Sequence, residues 1–103
     1  MTEGKGRDPG GREFAPSDRP RRSETSEGEP AGEDYFVLDL DTGKYYSLGE
    51  AGGFIWQRLD GGRSLARIAR DLSGTYDVGD RQAETDVLEF VGALEGFGLI
   101  EGA

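Results

Sequence analysis

The distribution of branched aliphatic residues limits where this chain can form a hydrophobic core. Residues 1–34 contain no Val, Ile or Leu, their one aromatic residue is Phe14, and all four prolines of the chain lie among them. Such a segment cannot bury enough apolar surface to offset the conformational entropy lost on ordering. The sequence therefore predicts a disordered N-terminal arm over residues 1–34 and one small folded domain over residues 35–103.

The charge balance restricts the partners that this domain can bind. The formal net charge is -9, and residues 35–103 contribute -6 of it, with twelve acidic and six basic side chains. An acidic surface repels nucleic-acid phosphates and anionic lipid head groups, so neither nucleic acid nor membrane is an expected partner. No apolar run reaches membrane length and no hydrophobic signal core is present, so we expect a cytoplasmic protein.

The chain lacks the residues on which most catalytic and metal sites depend. It has no cysteine and no histidine, so the common nucleophile–base pairs and thiolate or imidazole metal sites cannot form. The glycine pairs do not have the spacing of a phosphate-binding loop. We therefore predict a protein that is not an enzyme, with no catalytic residues, metal or cofactor.

Apolar periodicity predicts two strands followed by three helices. Alternation indicates strands over residues 35–40 and 44–48, and helical spacing indicates helices over residues 50–59, 65–72 and 80–95. The predicted fold is α+β, an N-terminal β-hairpin followed by a three-helix bundle, similar in shape to a winged helix.

The hairpin register follows from the loop length. A three-residue loop places Leu38 opposite Tyr46 and Phe36 opposite Leu48, and it puts Gly43 where a left-handed conformation is needed. In this register Tyr46 points inward.

Individual residues indicate where the predicted helices begin and how they pack. Ser64 and Asp80 are expected to cap the second and third helices, and Trp56 is expected to anchor the core under the sheet. Gly52 and Gly53 lower helix propensity by about 1 kcal/mol each. Either a close backbone contact requires them, or the first turn of that helix is loose.

One ordered set of apolar, aromatic and turn residues spans residues 35–101. Its members are Val37-Leu38-Asp39-Leu40, Thr42-Gly43, Tyr45-Tyr46-Ser47-Leu48, Ala51, Ile55-Trp56, Leu59, Asp60-Gly61, Ser64, Ile68, Leu72, Tyr76, Asp86-Val87, Phe90, Leu94 and Gly98-Leu99-Ile100. This set resembles the PqqD-like family, the peptide-recognition modules of ribosomal peptide natural-product pathways.

The resemblance implies a non-catalytic protein that binds the leader of a precursor peptide by β-strand addition and delivers it to a modifying enzyme. In the family, the leader pairs with the strand before the first helix and lies against the third helix. Carried over to this chain, the peptide-binding residues are Lys44, Tyr45, Tyr46, Ser47 and Leu48 on the strand, with Glu84, Val87, Leu88 and Val91 on the helix. The implied partners are the leader and a maturation enzyme, either a lasso-type leader peptidase with its cyclase or a radical enzyme.

One departure from the family concerns the sheet. Family members usually carry a further strand before the one at Val37, but residues 23–32 have no strand character. Either the sheet is reduced to the hairpin, or another segment supplies the missing strand.

Several alternatives remain open at the level of sequence. Leu88 is either the floor of a docking groove or an exposed leucine, and the side chain of Tyr45 contacts peptide or solvent. The chain as a whole is alternatively a winged-helix nucleic-acid-binding or transcriptional regulatory protein, or an adaptor whose N-terminal arm folds on a partner.

Overall fold

The computed structural model describes residues 13–102, which form five strands and three helices. The strands are β1 (Arg21–Arg22), β2 (Ser26–Ala31), β3 (Asp34–Asp39), β4 (Tyr45–Ser47) and β5 (Ile100–Glu101), and the helices are α1 (Gly49–Gln57), α2 (Leu65–Thr75) and α3 (Asp80–Gly96). An antiparallel sheet has the order β2–β3–β4, and β1 pairs with β5. The predicted α+β fold, strands followed by three helices, is confirmed.

The core lies between the helices and one face of the three-stranded sheet, which we call the inner face. Trp56 is 2% exposed and packs there, as predicted for a core anchor. The inner face contributes Val37, and α2 and α3 contribute Leu65, Ile68, Val87 and Val91, while Leu59 lies just after α1.

The N-terminal cap of α2 is the residue that the sequence predicts, and the cap of α3 differs from the predicted one by one residue. Ser64 Oγ accepts a hydrogen bond from Arg67 N–H at 3.1 Å, which confirms Ser64 as the cap of α2. The cap of α3 is Gly79, so the prediction for Asp80 is wrong. Asp80 already lies in the helix, and its carboxylate accepts from Ser73 Oγ at 2.6 Å.

The glycine pair of α1 is required by close packing. A Cβ atom on Gly53 would lie 2.5 Å from Tyr35 Cβ, and one on Gly52 would lie 2.9 Å from Leu48 Cβ and 3.0 Å from Phe90 Cζ. Real Cβ atoms do not approach this closely, so the two glycines allow α1 to lie directly against β3 and α3.

The predicted absence of a strand before Val37 is wrong, because β2 pairs with β3 along six residues, from Ser26 opposite Asp39 to Ala31 opposite Asp34. Five of the six β2 residues are exposed. Glycine, proline and glutamate are poor strand formers, and it is the main-chain ladder to β3 that makes this segment a strand. No apolar alternation marks it in the sequence.

The segment before β2 is also part of the fold, although it lies in the region predicted to be disordered. Phe14 is 8% exposed, and Pro20 is buried. The Pro16 carbonyl oxygen accepts from Ala66 N–H at 2.8 Å, and the Asp18 carbonyl oxygen accepts from Leu65 N–H at 2.9 Å. The N–H groups in the first turn of a helix have no helical carbonyl one turn earlier to bond to, and these two bonds supply acceptors for them in α2. Residues 1–12 of the predicted arm lie outside the described residues.

The register of the β3–β4 hairpin differs by one residue from the prediction. Tyr46 lies opposite Val37, and Tyr45 lies opposite Leu38. Val37 is fully buried, so Tyr46, directly across from it, points to the inner face, as predicted, whereas Leu38, which was expected on the same face as Tyr46, points to the other.

The longer connection explains the shift. Asp39 Oδ1 accepts from the main-chain N–H groups of Asp41 at 2.9 Å and Thr42 at 3.4 Å, which bends the chain one residue earlier than expected. Gly43 has a φ of 77°, the left-handed conformation predicted for it. A side-chain turn at Asp39 therefore decided the loop length.

Candidate functional site

The three-stranded sheet has two edge strands within residues 13–102, β2 and β4. An edge strand leaves half of its main-chain N–H and C=O groups without a partner strand, and a guest chain can pair with them. The outward-facing groups decide which edge suits a guest.

On β4, the main-chain groups of Tyr46 face β3. Asp39 N–H donates to the Lys44 carbonyl oxygen at 2.8 Å, and Leu48 N–H donates to the Tyr35 carbonyl oxygen at 2.8 Å. Hydrogen-bonded pairs alternate with non-bonded pairs in an antiparallel ladder. Between these two bonded positions, Tyr46 is therefore the residue of β4 whose N–H and C=O bond to β3.

The same alternation turns the main-chain groups of Tyr45 and Ser47 outward, away from β3. Each has both an N–H donor and a C=O acceptor, so this edge offers four groups at the spacing that an added strand needs. We call these four groups the β4 edge.

The edge of β2 is less suited to a guest strand. Leu40 N–H donates to the Thr25 carbonyl oxygen at 2.7 Å, so Thr25 faces β3. Because bonded positions alternate along the strand, the main-chain groups of Ser26, Gly28 and Pro30 face outward. Pro30 has no N–H, and the N–H of Ser26 already donates to the preceding turn at 3.2 Å. Proline on an outward position protects an edge against pairing, so β4 is the better docking edge.

Two aromatic rings flank the β4 edge on the inner side. The rings of Tyr46 and Phe97 have centroids 4.9 Å apart, and Phe97 is 53% exposed. We call this pair the aromatic patch. On the α1 side, Leu48 and Phe90 converge on Gly52. A strand added to β4 would thus lie next to apolar side chains that could hold its alternate residues.

The structure does not bring all the predicted helix residues to this edge. Val87 and Val91 are 0% exposed and belong to the core. Leu88 and Glu84 are half-buried. Leu88 lies about 160° around the axis of α3 from Phe90, and Glu84 lies about 120° from it, at 100° per residue. The side of α3 that approaches β4 is therefore the side of Phe90.

Phe97 was missed as a site residue, although the sequence contained a signal for it. Phe90 and Phe97 are seven residues apart, which places them about 20° apart on a helix. Two aromatic residues at that spacing, one of them at the helix end, indicate a shared face that extends past the buried stripe.

Tyr45 contributes to the edge through its main chain, because its side chain points to the other face of the sheet. It is 71% exposed and lies opposite Leu38, near Leu40, which is 51% exposed. This outer face is separate from the aromatic patch. The side chain of Lys44 is exposed beside the edge, and its carbonyl oxygen is bonded to β3.

The carboxylate of Asp34 fixes the end of β4 to the start of α1. Its Oδ2 accepts from Ser47 Oγ at 2.8 Å, and its Oδ1 accepts from Gly49 N–H and Tyr35 N–H, each at 2.7 Å. The bond from Ser47, followed by those from Tyr35 and Gly49, holds the pKa of Asp34 below its ordinary value of 3.8. Gly49 has a φ of 76°, which allows the turn from strand to helix.

We expect the stability around the β4 edge to depend on the charge of Asp34. A carboxyl whose pKa is lower in the folded state stabilises the fold above its unfolded pKa, and this contribution is lost as the pH falls through the folded pKa. The melting temperature of the wild type should therefore fall further below pH 3.8 than that of Asp34→Asn.

NMR would locate this effect, because the amide signals of Ser47 and Gly49 should titrate with Asp34 in the wild type. Asp41→Asn, an exposed carboxylate of the hairpin loop, is the matched control and should behave as the wild type. Identical pH profiles for the wild type and Asp34→Asn would contradict the assignment.

No cluster of acidic side chains within residues 13–102 has the geometry to hold a metal ion. Across the same residues, none of the helices is both long and apolar enough to span a bilayer.

Comparisons with known proteins point to one family. The family described as "Coenzyme PQQ synthesis protein D (PqqD)" matches residues 34–100. A "PqqA binding protein" of Xanthomonas oryzae pv. oryzae (strain PXO99A) is 33% identical over 82 residues, which cover 69% of this chain and 88% of the relative. A protein of the same description from Xanthomonas euvesicatoria pv. vesicatoria (strain 85-10) is 47% identical over 38 residues, 37% of this chain and 41% of the relative.

Two solved structures share the fold over most of the chain. "TbiB1 in Complex with the TbiA(beta) Leader Peptide" aligns with a TM-score of 0.73 and 28% identity, covering 81% of this chain and 96% of that one. "Lasso peptide synthetase B1 complexed with the leader peptide" aligns with a TM-score of 0.72 and 28% identity, covering 81% and 98%.

Proposed function

Because the chain belongs to the PqqD family, we propose that it binds the leader segment of a ribosomally made precursor peptide as a strand added to β4. The single observation that carries the proposal is the β4 edge, four outward-facing main-chain groups beside the aromatic patch. The names of the relatives support it, since they describe proteins that bind PqqA or hold a leader peptide.

The main chain would supply affinity, and the aromatic patch would supply selection. Added strands gain most of their binding energy from ladder hydrogen bonds, and pockets beside the edge select alternate side chains. Tyr46 and Phe97 lie on the inner side, so one set of alternate leader residues should be apolar. The other set faces the same side as Tyr45.

In this proposal the protein itself catalyses no reaction. It has no cysteine or histidine, and a separate enzyme would modify the bound precursor. Its relatives name two pathways, coenzyme PQQ synthesis and lasso peptide synthesis. The enzyme is accordingly either a radical enzyme or a leader peptidase with its cyclase.

The fold does not support the alternative of a nucleic-acid-binding protein. The helix that would enter a DNA groove, α3, has Arg81 as its one basic residue and carries five acidic ones, Asp80, Glu84, Asp86, Glu89 and Glu95. Phosphate contacts supply most non-specific DNA affinity and need basic side chains.

Hydrogen exchange with a synthetic leader would test the proposal. In the free protein, the amides of Tyr45 and Ser47 should exchange rapidly, while that of Tyr46, bonded to β3, should be protected. Leader binding should protect Tyr45 and Ser47 and leave Tyr46 unchanged, because only the outward amides gain a partner.

A leader of the same composition in scrambled order is the control and should leave all three amides unchanged. Protection of Gly28 in place of Tyr45 and Ser47 would move the site to β2. An absence of binding at high micromolar peptide would remove the proposal.

A further inference from the structure

A pocket of about 260 Å³ opens at the edge of the sheet opposite β4. It lies between β2 and the C-terminal end of α1, and its lining residues are Arg22, Ser26, Gly28, Tyr35, Trp56 and Gln57. One water molecule occupies about 30 Å³ of liquid volume, so the pocket has room for a small organic group. It is separated from the β4 edge by the width of the sheet.

The buried indole of Trp56 brings an unused donor to this pocket. Trp56 is 2% exposed, and within residues 13–102 its Nε1–H donates no hydrogen bond. Nε1 lies 2.6 Å from the point where a Cβ of Gly28 would be, and the hydroxyl of Tyr35 lies 3.0 Å from the same point. Gly28 therefore leaves two polar groups converging beside the pocket, and a buried N–H needs an acceptor.

Arg22 brings a positive charge that no carboxylate in the described part of the chain neutralises. Its Nη1 donates to the carbonyl oxygens of Trp56 at 3.0 Å and Gln57 at 2.8 Å, which fixes the guanidinium at the end of α1. The chain has 21 acidic residues. The two acidic residues that flank Gly28 on β2, Glu27 and Glu29, alternate with it and point to the other face of the sheet.

We propose that this pocket is a binding site for a carboxylate group. Its Arg22 guanidinium and Trp56 indole can only donate hydrogen bonds, and its single positive charge matches a monoanion. The planar oxygens of a carboxylate could accept from the Arg22 guanidinium and the Trp56 indole together. A cation is excluded because no acidic side chain lines the pocket. The carboxylate would come from a free small acid or from an acidic residue of a peptide.

The chain has one tryptophan, so a single indole N–H signal in a proton–nitrogen NMR spectrum reports this pocket directly. Titration of the full chain with acetate should move that signal downfield and to saturation. N-acetylglutamate amide, which mimics an acidic residue in a peptide, should move it in the same direction. The uncharged N-acetylglutamine amide and chloride at equal ionic strength should not.

Substitutions test which groups bind. Arg22→Gln should weaken acetate binding by about tenfold or more, as expected for a charge-assisted contact, and Tyr35→Phe should weaken it less. Arg70→Gln, an exposed arginine of α2, should bind as the wild type. Because Arg22 also bonds the end of α1, its variant is first checked for an unchanged melting temperature; if it unfolds, Tyr35→Phe becomes the deciding variant.

The two ligands separate the sources of the carboxylate. Tighter binding of N-acetylglutamate amide than of acetate would assign the pocket to an acidic residue of a peptide, and equal binding would assign it to free acids. An indole signal that does not saturate, or that moves equally in Arg22→Gln and the wild type, would overturn the proposal. None of these outcomes depends on leader binding at β4.

Discussion

Tyr45→Pro should lower the affinity for the leader by at least about tenfold while leaving the fold intact. The N–H of Tyr45 faces outward, so proline removes a donor that the guest would use and places its ring in the path of the added strand. A main-chain hydrogen bond contributes about 1 kcal/mol net, and a guest carbonyl left without a partner costs about 1–3 kcal/mol more. Because about 1.4 kcal/mol corresponds to tenfold in affinity, the loss should be clear in a calorimetric titration.

Two variants isolate the cause of this loss. Tyr45→Ala removes the 71% exposed side chain but keeps the N–H, so it should bind nearly as the wild type. Pro30→Ala restores a donor on the edge of β2 and should leave leader affinity unchanged. If Tyr45→Ala lost as much affinity as Tyr45→Pro, the side chain rather than the main chain would carry recognition, and the proposed strand addition would be wrong.

Gly53→Ala should destabilise the fold strongly, although alanine is the better helix former. Alanine in the interior of α1 gains about 1 kcal/mol in helix propensity. Its Cβ would lie 2.5 Å from Cβ of Tyr35 and 2.7 Å from its Cγ, and these atoms are held by the backbone of β3. Overpacking of this kind costs about 1–3 kcal/mol, and more where neighbours cannot move. We expect a net loss of about 2 kcal/mol in the free energy of unfolding.

The matched control is Gly74→Ala in the last turn of α2, where no heavy atom lies within 4 Å of the added Cβ. That variant should gain up to about 1 kcal/mol, because only helix propensity changes. Thermal unfolding distinguishes the expected loss of stability from the expected gain, since about 1 kcal/mol shifts the melting temperature of a domain this small by roughly 4–8 °C. A Gly53→Ala protein as stable as the wild type would show that α1 and β3 are not in the close contact described.

The N-terminal segment changes how truncations of this protein should be designed. Deleting residues 1–34 as a disordered arm would remove β2, the buried Phe14 and the carbonyl groups that bond the start of α2. Loss of leader binding in such a variant would reflect loss of the sheet. A deletion confined to residues 1–12 leaves these contacts in place and is the appropriate test of an arm.

The sequence predicted the helices and the strand before the first helix because their signals are local. The apolar stripes of α2 and α3 recur at helical spacing, Ser64 precedes a stripe as a cap should, and Gly43 marks a left-handed turn. The strand before the first helix could be identified for the same reason, as could the inward direction of Tyr46.

Tertiary structure alone decided the strand state of β2 and the side of α3 that meets β4. The strand state of β2 comes from main-chain bonds to β3, and its glycine, proline and glutamate residues are poor strand formers, so its composition carried no signal. The hairpin register, by contrast, depended on a local side-chain turn at Asp39, which adds one residue to the loop and which the sequence prediction did not include. The helical wheel defined a buried stripe on α3, but whether Leu88 or Phe90 flanked the sheet depended on how the helix was placed against α1. Contacts between residues distant in sequence set that placement, and no local pattern encodes it.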